Sequence, residues 1–536
     1  MQDFDYIVVG AGSAGCVVAG RLAAASPGRV LVLEAGPGDW SPWIHLPIGY
    51  GKLFYHPRLN WRYYTAPVPG LGGREIYQPR GKVVGGSSAI NAMVYARGQA
   101  ADFAGWEASG NPGWGWAEVL ASYRRMENHA LGETAWHGAG GPLTITDIAR
   151  AAHPLTGVFL AAGQEAGLRF NPDLNGETCE GVGTYQINTA RGMRVSAARA
   201  YLWPARRHAG LRLETRAEVT RLLFEGRRAV GVEYRRHGTL HQARAGREVI
   251  VSAGAFNTPK LLQLSGIGPP QLLRRHGVEV VAELPAVGRN LQDHLCYDHV
   301  YRSRRPSLND VLRPRSGQIR AALHYLLFRT GPLALSVNQG GGFWRSYPAA
   351  ERPDMQLYFS PLSYERGRPG VRALLQPDAF SGFATSVSPC RPTSRGHVAI
   401  RSADPGAAPE IVPDYLATAQ DVTEMLAGAR FLRRLAATPS FAELIEAELK
   451  PGADIDSDAA LLDDVRARAY SVFHPCGTCR MGPSPADAVV DARLRVHGIG
   501  GLRVVDASIF PRITSGNINA PSMMVGERAA SLIADD

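Results

Sequence analysis

The chain has 536 residues, of which 45% are hydrophobic and 20% charged, a composition typical of a globular protein large enough for two or more domains. Its formal net charge of +10 comes almost entirely from arginine, since only four lysines occur, and the arginines are scattered. This distribution argues against a nucleic-acid partner. Six cysteines in so long a chain exclude a disulfide framework, and no apolar run is long enough to span a bilayer. The first strand pattern begins at residue 5, too early for a signal peptide, so we expect a cytoplasmic protein, with peripheral membrane contact left open.

Residues 1–35 carry the pattern of a strand, a glycine turn, a helix and a second strand. Gly10 permits a tight turn, Gly12 lets backbone N–H groups approach a pyrophosphate, and Gly15 lets the helix pack closely on the strand. The helix start offers unpaired N–H groups and a partial positive charge to phosphates. Glu34 ends the second apolar run, at the spacing where an acid accepts both hydroxyls of an adenosine ribose. The unit predicts a site for FAD or NAD, lined by Gly10, Gly12, Ser13, Ala14, Gly15, Glu34 and Ala35.

Changes in pattern along the chain predict two domains. Residues 1–150, 205–300 and 465–536 combine buried strands, glycine turns and helices, which is typical of an α/β domain assembled from separated segments. Residues 151–204 and 301–464 are assigned to the second domain, because strands alternating with Pro and Gly turns predominate after residue 301. We therefore expect an α+β substrate domain with an antiparallel sheet.

Three local patterns predict element positions within the first domain. The segment 211–234 reads as a β-hairpin or meander with Val219 in its middle. Thr258 directly before Pro259 predicts a capped helix whose first residue is the proline. Pro521 in the same way predicts the start of the last helix.

The glycine-turn unit and four later blocks, in this order along the chain, resemble the glucose–methanol–choline (GMC) oxidoreductase family, and within it the bacterial members similar to choline dehydrogenase. Residues 81–91 and 254–268 match the two family signatures, and residues 474–482 and 515–521 match its C-terminal active-site blocks. The resemblance implies one FAD per chain, held by a Rossmann-type domain assembled from separated segments. It adds these residues to the expected cofactor contacts: Val83, Gly86, Ser87, Asn91, Ala92, Met93, Val94, Val219, Ala253, Asp506, Ala507, Asn519 and Pro521.

The same resemblance implies that His474 and Asn517 carry the chemistry. Oxidising an alcohol moves a hydride to flavin N5 while the hydroxyl loses its proton, so a base and a hydrogen-bond donor to the oxygen are needed. Histidine suits the base because its unshifted pKa lies near neutrality. Asn517 occupies a family position that holds His or Asn, and its amide would donate to the substrate oxygen. Cys476 and Cys479 lie beside this histidine, but no second Cys/His pair follows at zinc spacing, so we read both as packing thiols and expect no metal.

Two departures from the family pattern concern the cofactor and the substrate. Ile90 stands where some members carry the histidine that attaches FAD, so non-covalent FAD is expected. Choline-active relatives have a glutamate near the glycines at 340–342, where this chain offers Asn338 and Gln339. An uncharged aromatic or aliphatic primary alcohol is therefore favoured over choline, in a pocket formed by Phe343, Trp344, Tyr358 and Phe359.

The expected activity is FAD-dependent oxidation of a primary alcohol to its aldehyde, with oxygen or a quinone-type molecule as electron acceptor. Three alternatives stay open: a choline or polyol dehydrogenase of the same family, an FAD-holding lyase or photodecarboxylase, and a flavin-binding structural protein. The intact pair of His474 and Asn517 disfavours the last of these. The sequence leaves open the physiological alcohol, the choice between oxidase and dehydrogenase, and the oligomeric state.

Overall fold

In the computed structural model, which describes residues 2–25, 28–365 and 376–536, the chain is organised around two β-sheets. The first is a mixed sheet near the N-terminus. Its parallel part includes both strands predicted around the glycine turn. In spatial order its strands are Leu211–Thr215, Val30–Glu34, Gln2–Val9, Thr239–Val251, Arg228–Arg236 and Ala217–Glu225, with Leu502–Val504 paired to Thr239–Val251.

The segment 211–234, predicted as a β-hairpin or meander, divides between two strand arrangements. Leu211–Thr215 joins the sheet in parallel beside Val30–Glu34, and the hairpin itself consists of Ala217–Glu225 and Arg228–Arg236. Val30–Glu34 is buried along its whole length because helices or loops cover both faces of the parallel part, and this explains its continuous apolar run.

The two ends of the chain meet at a pair of packed helices, Ser13–Ala25 and Asn519–Ala534. Gly526 allows the close crossing, because a Cβ there would lie 2.6 Å from the Ala14 carbonyl oxygen. Arg21 and Glu527 form an ion pair of 2.8 Å across the same contact. This packing brings the C-terminal motif residues over the N-terminal glycine turn.

The helix after the strand at 239–251 begins earlier than predicted. It spans Gly254–Leu264, so Pro259 lies inside it and Thr258 is not its cap. A proline at this position leaves the carbonyl of Ala255 without its helical N–H partner. The hydroxyl of Thr478 donates to that carbonyl at 2.6 Å and replaces the missing bond. A contact more than 200 residues away along the chain therefore lets the helix continue through the proline.

The second sheet is antiparallel, as expected. Its strands in spatial order are Gly340–Trp344, Met355–Ser360, Gly382–Pro389, Leu295–Ser303 and Ile445–Lys450, with Tyr470–Ser471 paired to Leu295–Ser303. The predicted domain boundary at residue 300 falls within one of these strands, and residues 470 and 471 also belong to this sheet. Aromatic and aliphatic side chains on one face of the sheet form a core with the helices Pro154–Glu165, Ala419–Ala436 and Pro439–Leu444. Residues 366–375 of the predicted second domain lie outside the described residues.

The remaining elements are short or peripheral. Among the described residues, no helix is both long and apolar enough to cross a bilayer. The other helices are Pro42–His45, Pro47–Gly49, Tyr50–Leu53, Pro69–Leu71, Gly86–Ala89, Ala100–Ala108, Trp116–Met126, Ala198–Leu202, Trp203–Ala205, Pro270–Arg275, Leu308–Leu312, Arg315–Phe328, Pro332–Ala334, Asp458–Arg468 and Ala507–Ile509. The other strands are Tyr63–Tyr64, Tyr77–Gln78, Glu127–His129, Leu143–Ile145, Gly181–Thr184, Thr189–Ala190, Met193–Arg194, Ile267–Gly268, Ala282–Glu283, His397–Ala399 and Glu410–Val412.

A buried charged cluster supports the segment that follows the predicted cofactor contacts 91–94. Glu127 is fully buried and accepts a hydrogen bond from the hydroxyl of Tyr95. Its carboxylate lies 3.4 Å from the guanidinium of Arg97, which is 2% exposed, and 3.3 Å from Nδ1 of His137. The other ring nitrogen of His137 lies 2.8 Å from the carboxylate of Asp173. The buried guanidinium thus depends on Glu127 for its charge compensation.

Candidate active site

A cavity of about 1100 Å³ lies between the first sheet and the second. Residues from both ends of the chain line it, and most of the predicted cofactor contacts are among them. The predicted residues on its wall are Gly10, Gly12, Ser13, Ala14, Glu34, Ala35, Gly86, Ser87, Asn91, Ala92, Met93, Val94, Val219, Ala253, Asp506, Ala507 and Asn519, together with His474 and Asn517.

Three predicted cofactor residues do not line the cavity. Gly15 packs against the glycine turn, where a Cβ would lie 2.0 Å from the carbonyl oxygen of Gly10, so its role is the close packing expected of it. Val83 is buried in a separate apolar cluster with Ile44. Pro521 is buried in the last helix, which begins two residues earlier, at Asn519. Val83 and Pro521 are close in the chain to cavity residues but do not line the cavity themselves, so their contact with the cofactor stays a prediction.

Three backbone segments meet at one end of the cavity. Gly10 has φ +100°, and a Cβ there would lie 2.5 Å from the carbonyl oxygen of Ser252. A Cβ on Gly86 would lie 2.6 Å from the Cα of Gly12. The hydroxyl of Ser252 lines the cavity and is buried without a protein partner among the described residues. Glycine backbone packed this closely, together with the unpartnered hydroxyl of Ser252, fits the pyrophosphate of a dinucleotide.

Glu34 lies at the same end and is placed for a ribose. Its carboxylate accepts hydrogen bonds from the backbone N–H groups of Ala11 at 3.0 Å and Gly36 at 2.8 Å. Burial raises the pKa of Glu34 to about 7, although these two bonds act in the opposite direction. A carboxylate has about four acceptor positions, so two remain for hydroxyl donors, and the site fits the vicinal hydroxyls of an adenosine ribose.

Asp506 and Asn519 have structural partners that the sequence did not indicate. One carboxylate oxygen of Asp506 accepts from the backbone N–H of Gly254 at 2.8 Å and from the hydroxyl of Thr258 at 2.6 Å. The other accepts from the N–H of Ser508 at 2.8 Å, and burial raises the pKa of this carboxyl. Asn519 is the first residue of the last helix rather than its cap, and its Oδ1 accepts from the hydroxyl of Ser13 at 2.9 Å. Both residues hold cavity segments together.

His474 and Asn517, predicted as the catalytic pair, are adjacent in space. Nδ2 of Asn517 lies 3.1 Å from Nε2 of His474. The histidine is 7% exposed, and its backbone N–H donates to Asp293 at 2.7 Å. Burial above all, and then the neighbouring His294 and Arg80, lower the pKa of His474 well below its usual value. The ring is therefore neutral near pH 7, by a wider margin than an unshifted histidine would allow.

A hydrogen-bond chain behind His474 determines which of its nitrogens carries the proton. Nε2 of His294 lies 2.9 Å from the carbonyl oxygen of Cys390, which can only accept, so this nitrogen carries hydrogen. Burial lowers the pKa of His294, so its ring is neutral and its Nδ1 is an acceptor. That atom lies 2.9 Å from Nδ1 of His474, which must donate. Nε2 of His474 is then left unprotonated, with its lone pair toward Nδ2 of Asn517 on the cavity wall.

A second chain orients the amide of Asn517. The hydroxyl of Tyr185 donates to the carbonyl of Leu357 at 2.7 Å and accepts from Nε2 of Gln356 at 3.0 Å. The same Gln356 nitrogen donates to Oδ1 of Asn517 at 3.1 Å. This places the NH₂ group of Asn517 toward the imidazole. The amide nitrogen carries two hydrogens, one more than that contact uses.

The sequence analysis missed the residues that position this pair: Asp293, His294, Gln356 and Arg80. The guanidinium of Arg80 donates to the carbonyl of Phe473 at 2.6 Å and lines the cavity. Asp293 and His294 follow Gln292, whose backbone pairs with that of Cys476. The polar run 292–294 before a strand was the available sequence signal, but its partners lie some 180 residues later.

The four residues predicted to form the substrate pocket divide between the two faces of the second sheet. Side chains alternate between the faces of a strand, so neighbours in sequence point to opposite sides of the sheet. Tyr358 lines the cavity, whereas Phe359 stacks on Phe159 with ring centroids 4.8 Å apart and Trp344 stacks on Phe431 at 4.4 Å. Both belong to the core on the far face. Phe343 faces the cavity side but lies beneath Gly516, where a Cβ would be 3.1 Å from its ring.

Asp298, an acidic residue on the cavity wall, was also not predicted from the sequence. Asp298 lines the cavity from the strand Leu295–Ser303, and its carboxylate lies 3.3 Å from the guanidinium of Arg468. Asn338 lines the cavity as well and accepts from the hydroxyl of Ser360 at 2.8 Å. Gln339 points elsewhere and accepts from the backbone of His153 at 2.6 Å. Asp298 on the cavity wall therefore already has a cationic partner.

Cys476 and Cys479 are both buried, and burial raises the pKa of both thiols. Across the described ranges, no three His, Cys, Asp or Glu side chains are arranged to hold a metal ion.

Comparison with known proteins gives matches over nearly the whole chain. Two family models described as GMC oxidoreductase match residues 4–296 and 392–526. The alcohol dehydrogenase (acceptor) of Pseudomonas putida is 42% identical over 537 residues, which cover 99% of this chain and 95% of that protein. The mitochondrial choline dehydrogenase of Homo sapiens is 43% identical over 544 residues, covering 99% and 90%. The crystal structure of pyridoxine 4-oxidase from Mesorbium loti superposes with a TM-score of 0.89 at 33% identity and covers 99% of each chain.

Proposed function

The chain belongs to the GMC oxidoreductase family, and from that premise we propose that it oxidises an uncharged primary alcohol to the aldehyde with His474 as general base. Its family and relatives identify it as an FAD-dependent oxidoreductase that acts on CH–OH donors. The observation that carries the finer proposal is the unprotonated Nε2 of His474, 3.1 Å from the NH₂ group of Asn517.

The residues divide the chemistry between proton and oxygen. Nε2 of His474 takes the hydroxyl proton, while the second amide hydrogen of Asn517 donates to the oxygen as negative charge develops on it. FAD, when bound, supplies N5 as the hydride acceptor. The bond from Nδ1 of His474 to His294 keeps the ring in one orientation before and after proton transfer. The lowered pKa means that the base is already free at neutral pH.

The cavity wall supports an uncharged aromatic or aliphatic alcohol. Val300, Val337, Tyr358 and Ala384 present apolar surface at this end, and Asp298 is engaged by a guanidinium. Choline is the second candidate, because this carboxylate lies on the wall and choline dehydrogenases are among the relatives.

A dark, anaerobic screen of alcohols tests the function directly. Benzyl and medium-chain alcohols are expected to bleach the flavin, and re-oxidation by oxygen or by a quinone-type acceptor then separates an oxidase from a dehydrogenase. Turnover of choline well above these alcohols would overturn the substrate assignment. A flavin that stays yellow with every alcohol would favour a lyase or light-driven enzyme.

We further propose that FAD is bound without a covalent link, because Ile90 lines the cavity at the family position of attachment. Acid precipitation is expected to release all the yellow colour into the supernatant, since an isoleucine side chain offers no nucleophile. Flavin retained in the washed pellet would contradict this.

His294 is expected to act as a positioning residue. His294→Leu removes the acceptor for the Nδ1–H of His474, and flavin reduction should slow about 10²-fold, the scale of a misplaced catalytic group. His294→Gln keeps an amide oxygen that can accept this hydrogen and an NH₂ for Cys390, so it should restore most of the rate.

The pH profile separates this role from a merely structural one. In the wild type the reduction rate should be flat near neutrality and fall only below the usual histidine range, because a base with a lowered pKa protonates late. His294 is one of the causes of that lowering, so the acidic limb should move to higher pH in His294→Leu. An unmoved limb with equal rates in both variants would contradict the role.

A further inference from the structure

The helix Arg315–Phe328 exposes a continuous apolar stripe to solvent. Its buried side consists of Gly317, Ala321 and Tyr325, one residue per turn. The opposite side is also apolar, and we call it the exposed stripe. Its members, each 56% to 74% exposed, are Ile319, Leu323, Leu326 and Leu327. They follow the spacing i, i+4, i+7 and i+8, so they share one face of the helix, and the exposed Phe328 ends it.

The charge around the exposed stripe has one sign. No Asp or Glu occurs in the sequence between Asp310 and Glu351. Arg315 and Arg320 lie on opposite flanks of the stripe at the helical spacing, and both are exposed. Neither forms an ion pair with any acid in the described part of the chain. A wide apolar face bordered by unneutralised guanidinium groups is typical of a helix that lies in a lipid headgroup region.

Two exposed tryptophans lie in segments tied to the same helix. The hydroxyl of Tyr325 donates to the carbonyl of Gly192 at 2.9 Å, and Arg194 in the adjoining strand donates to the carbonyl of Ile44 at 2.8 Å. Ile44 belongs to the short helix Pro42–His45, where Trp43 is 42% exposed, and Trp40 just before it is 79% exposed. Exposed indoles beside an apolar stripe are characteristic of interfacial anchoring.

We propose that the exposed stripe docks the protein on an anionic lipid bilayer, with the helix lying flat along the surface. The apolar side chains would enter the acyl boundary, and Arg315 and Arg320 would contact anionic headgroups. A second copy of the chain is a poorer occupant, because a two-fold contact through this face would bring like-charged arginines together. The helix that precedes the stripe, Leu308–Leu312, packs at the cavity wall, since Leu308 lies in one cluster with Tyr50 and Val337, which line the cavity.

Vesicle flotation of the FAD-loaded enzyme tests this docking. The wild type should float with vesicles of phosphatidylglycerol mixed with phosphatidylcholine, and less with phosphatidylcholine alone. The triple variant Leu323→Glu, Leu326→Glu and Leu327→Glu should lose at least about 10-fold of its partitioning, because acidic side chains replace apolar ones on the inserted face. Leu240→Glu is the matched control, since Leu240 is 53% exposed on a strand of the first sheet and should leave flotation unchanged.

A second variant keeps the test valid if the leucine variant misfolds. Arg315→Gln with Arg320→Gln should weaken flotation on the anionic vesicles and reduce its dependence on salt. Flavin content checks folding, so the result does not depend on the proposed alcohol oxidation. Equal flotation of wild type and both variants would overturn the proposal. Absence of wild-type flotation would also overturn it, as would light scattering showing a dimer that the leucine variant converts to a monomer without any vesicle binding.

Discussion

Replacing His474 by Ala is expected to slow the anaerobic reduction of bound flavin by alcohol about 10²–10⁴-fold, the usual contribution of a general base. The substitution removes the only nitrogen lone pair that the hydrogen-bond chain from Cys390 through His294 directs at the amide of Asn517. FAD should remain bound, because the phosphate and ribose contacts lie at the other end of the cavity. Stopped-flow absorbance of the flavin under saturating alcohol measures the rate.

His397→Ala is the control for this experiment. His397 lies on a short strand outside the cavity and is not part of the chain behind His474. Its variant should reduce flavin at the wild-type rate. Near-normal reduction in His474→Ala would remove that residue from the role of base, and loss of flavin on purification would show that it supports the cofactor site instead.

Replacing Glu127 by Ala is expected to lower the free energy of unfolding by about 3–5 kcal/mol, because it leaves a buried charge without its partner. Arg97 is 2% exposed, and Glu127 is its acidic partner at 3.4 Å. Tyr95 would lose its acceptor as well. Denaturant unfolding of the FAD-free protein, with the transition followed by tryptophan fluorescence, measures the change.

An exposed pair provides the comparison. Glu443 lies 3.9 Å from Arg305, and both side chains are more than half exposed. Glu443→Ala should change the free energy of unfolding by less than about 1 kcal/mol, because solvent screens such pairs. Equal effects of the two substitutions would contradict the role assigned to the buried cluster.

The pH dependence of this cluster follows from three shifted groups. Burial acts against it, but the hydrogen bond from His137 lowers the pKa of Asp173 to about 2. Burial lowers the pKa of His137, but its hydrogen bonds to Asp173 and Glu127 outweigh this effect and raise the pKa. Burial raises the pKa of Glu127, but the hydrogen bond from His137 and the charge of Arg97 outweigh it and lower the pKa. A carboxylate with a lowered pKa stabilises the fold above its unfolded value of about 4, and a histidine with a raised pKa stabilises it below about 6.5. The cost of Glu127→Ala should therefore be largest between those limits. It should diminish as the pH falls through the lowered pKa values of Glu127 and Asp173, and also as the pH rises through the raised pKa of His137.

That His474 lines the same cavity as the glycine turn was predictable from the sequence as a pair of motifs, but which of its ring nitrogens is unprotonated was not. The protonated nitrogen depends on His294 and Cys390, which approach His474 from separate segments, and no local pattern carries their distances. The lowering of the pKa of His474 was not predictable either, because burial is a property of the assembled site. Similarly, Gln356 orients Asn517 from a strand more than 150 residues earlier.

The sequence by itself determined what short-range geometry requires. The glycine turn, the acid after the second strand and the two C-terminal blocks each place their residues through a few consecutive backbone angles, so Gly10, Glu34, His474 and Asn517 all reached the cavity as expected. Only the tertiary structure decided which face of each strand is covered and which distant groups compensate one another. Trp344 and Phe359 pack in the core on the far face of the second sheet. The hydroxyl of Thr478 lets a helix continue through Pro259, and the leucines of Arg315–Phe328 are exposed to solvent. The physical reason is that burial, charge compensation and proton position arise from contacts between segments far apart in the chain, which a local pattern does not encode.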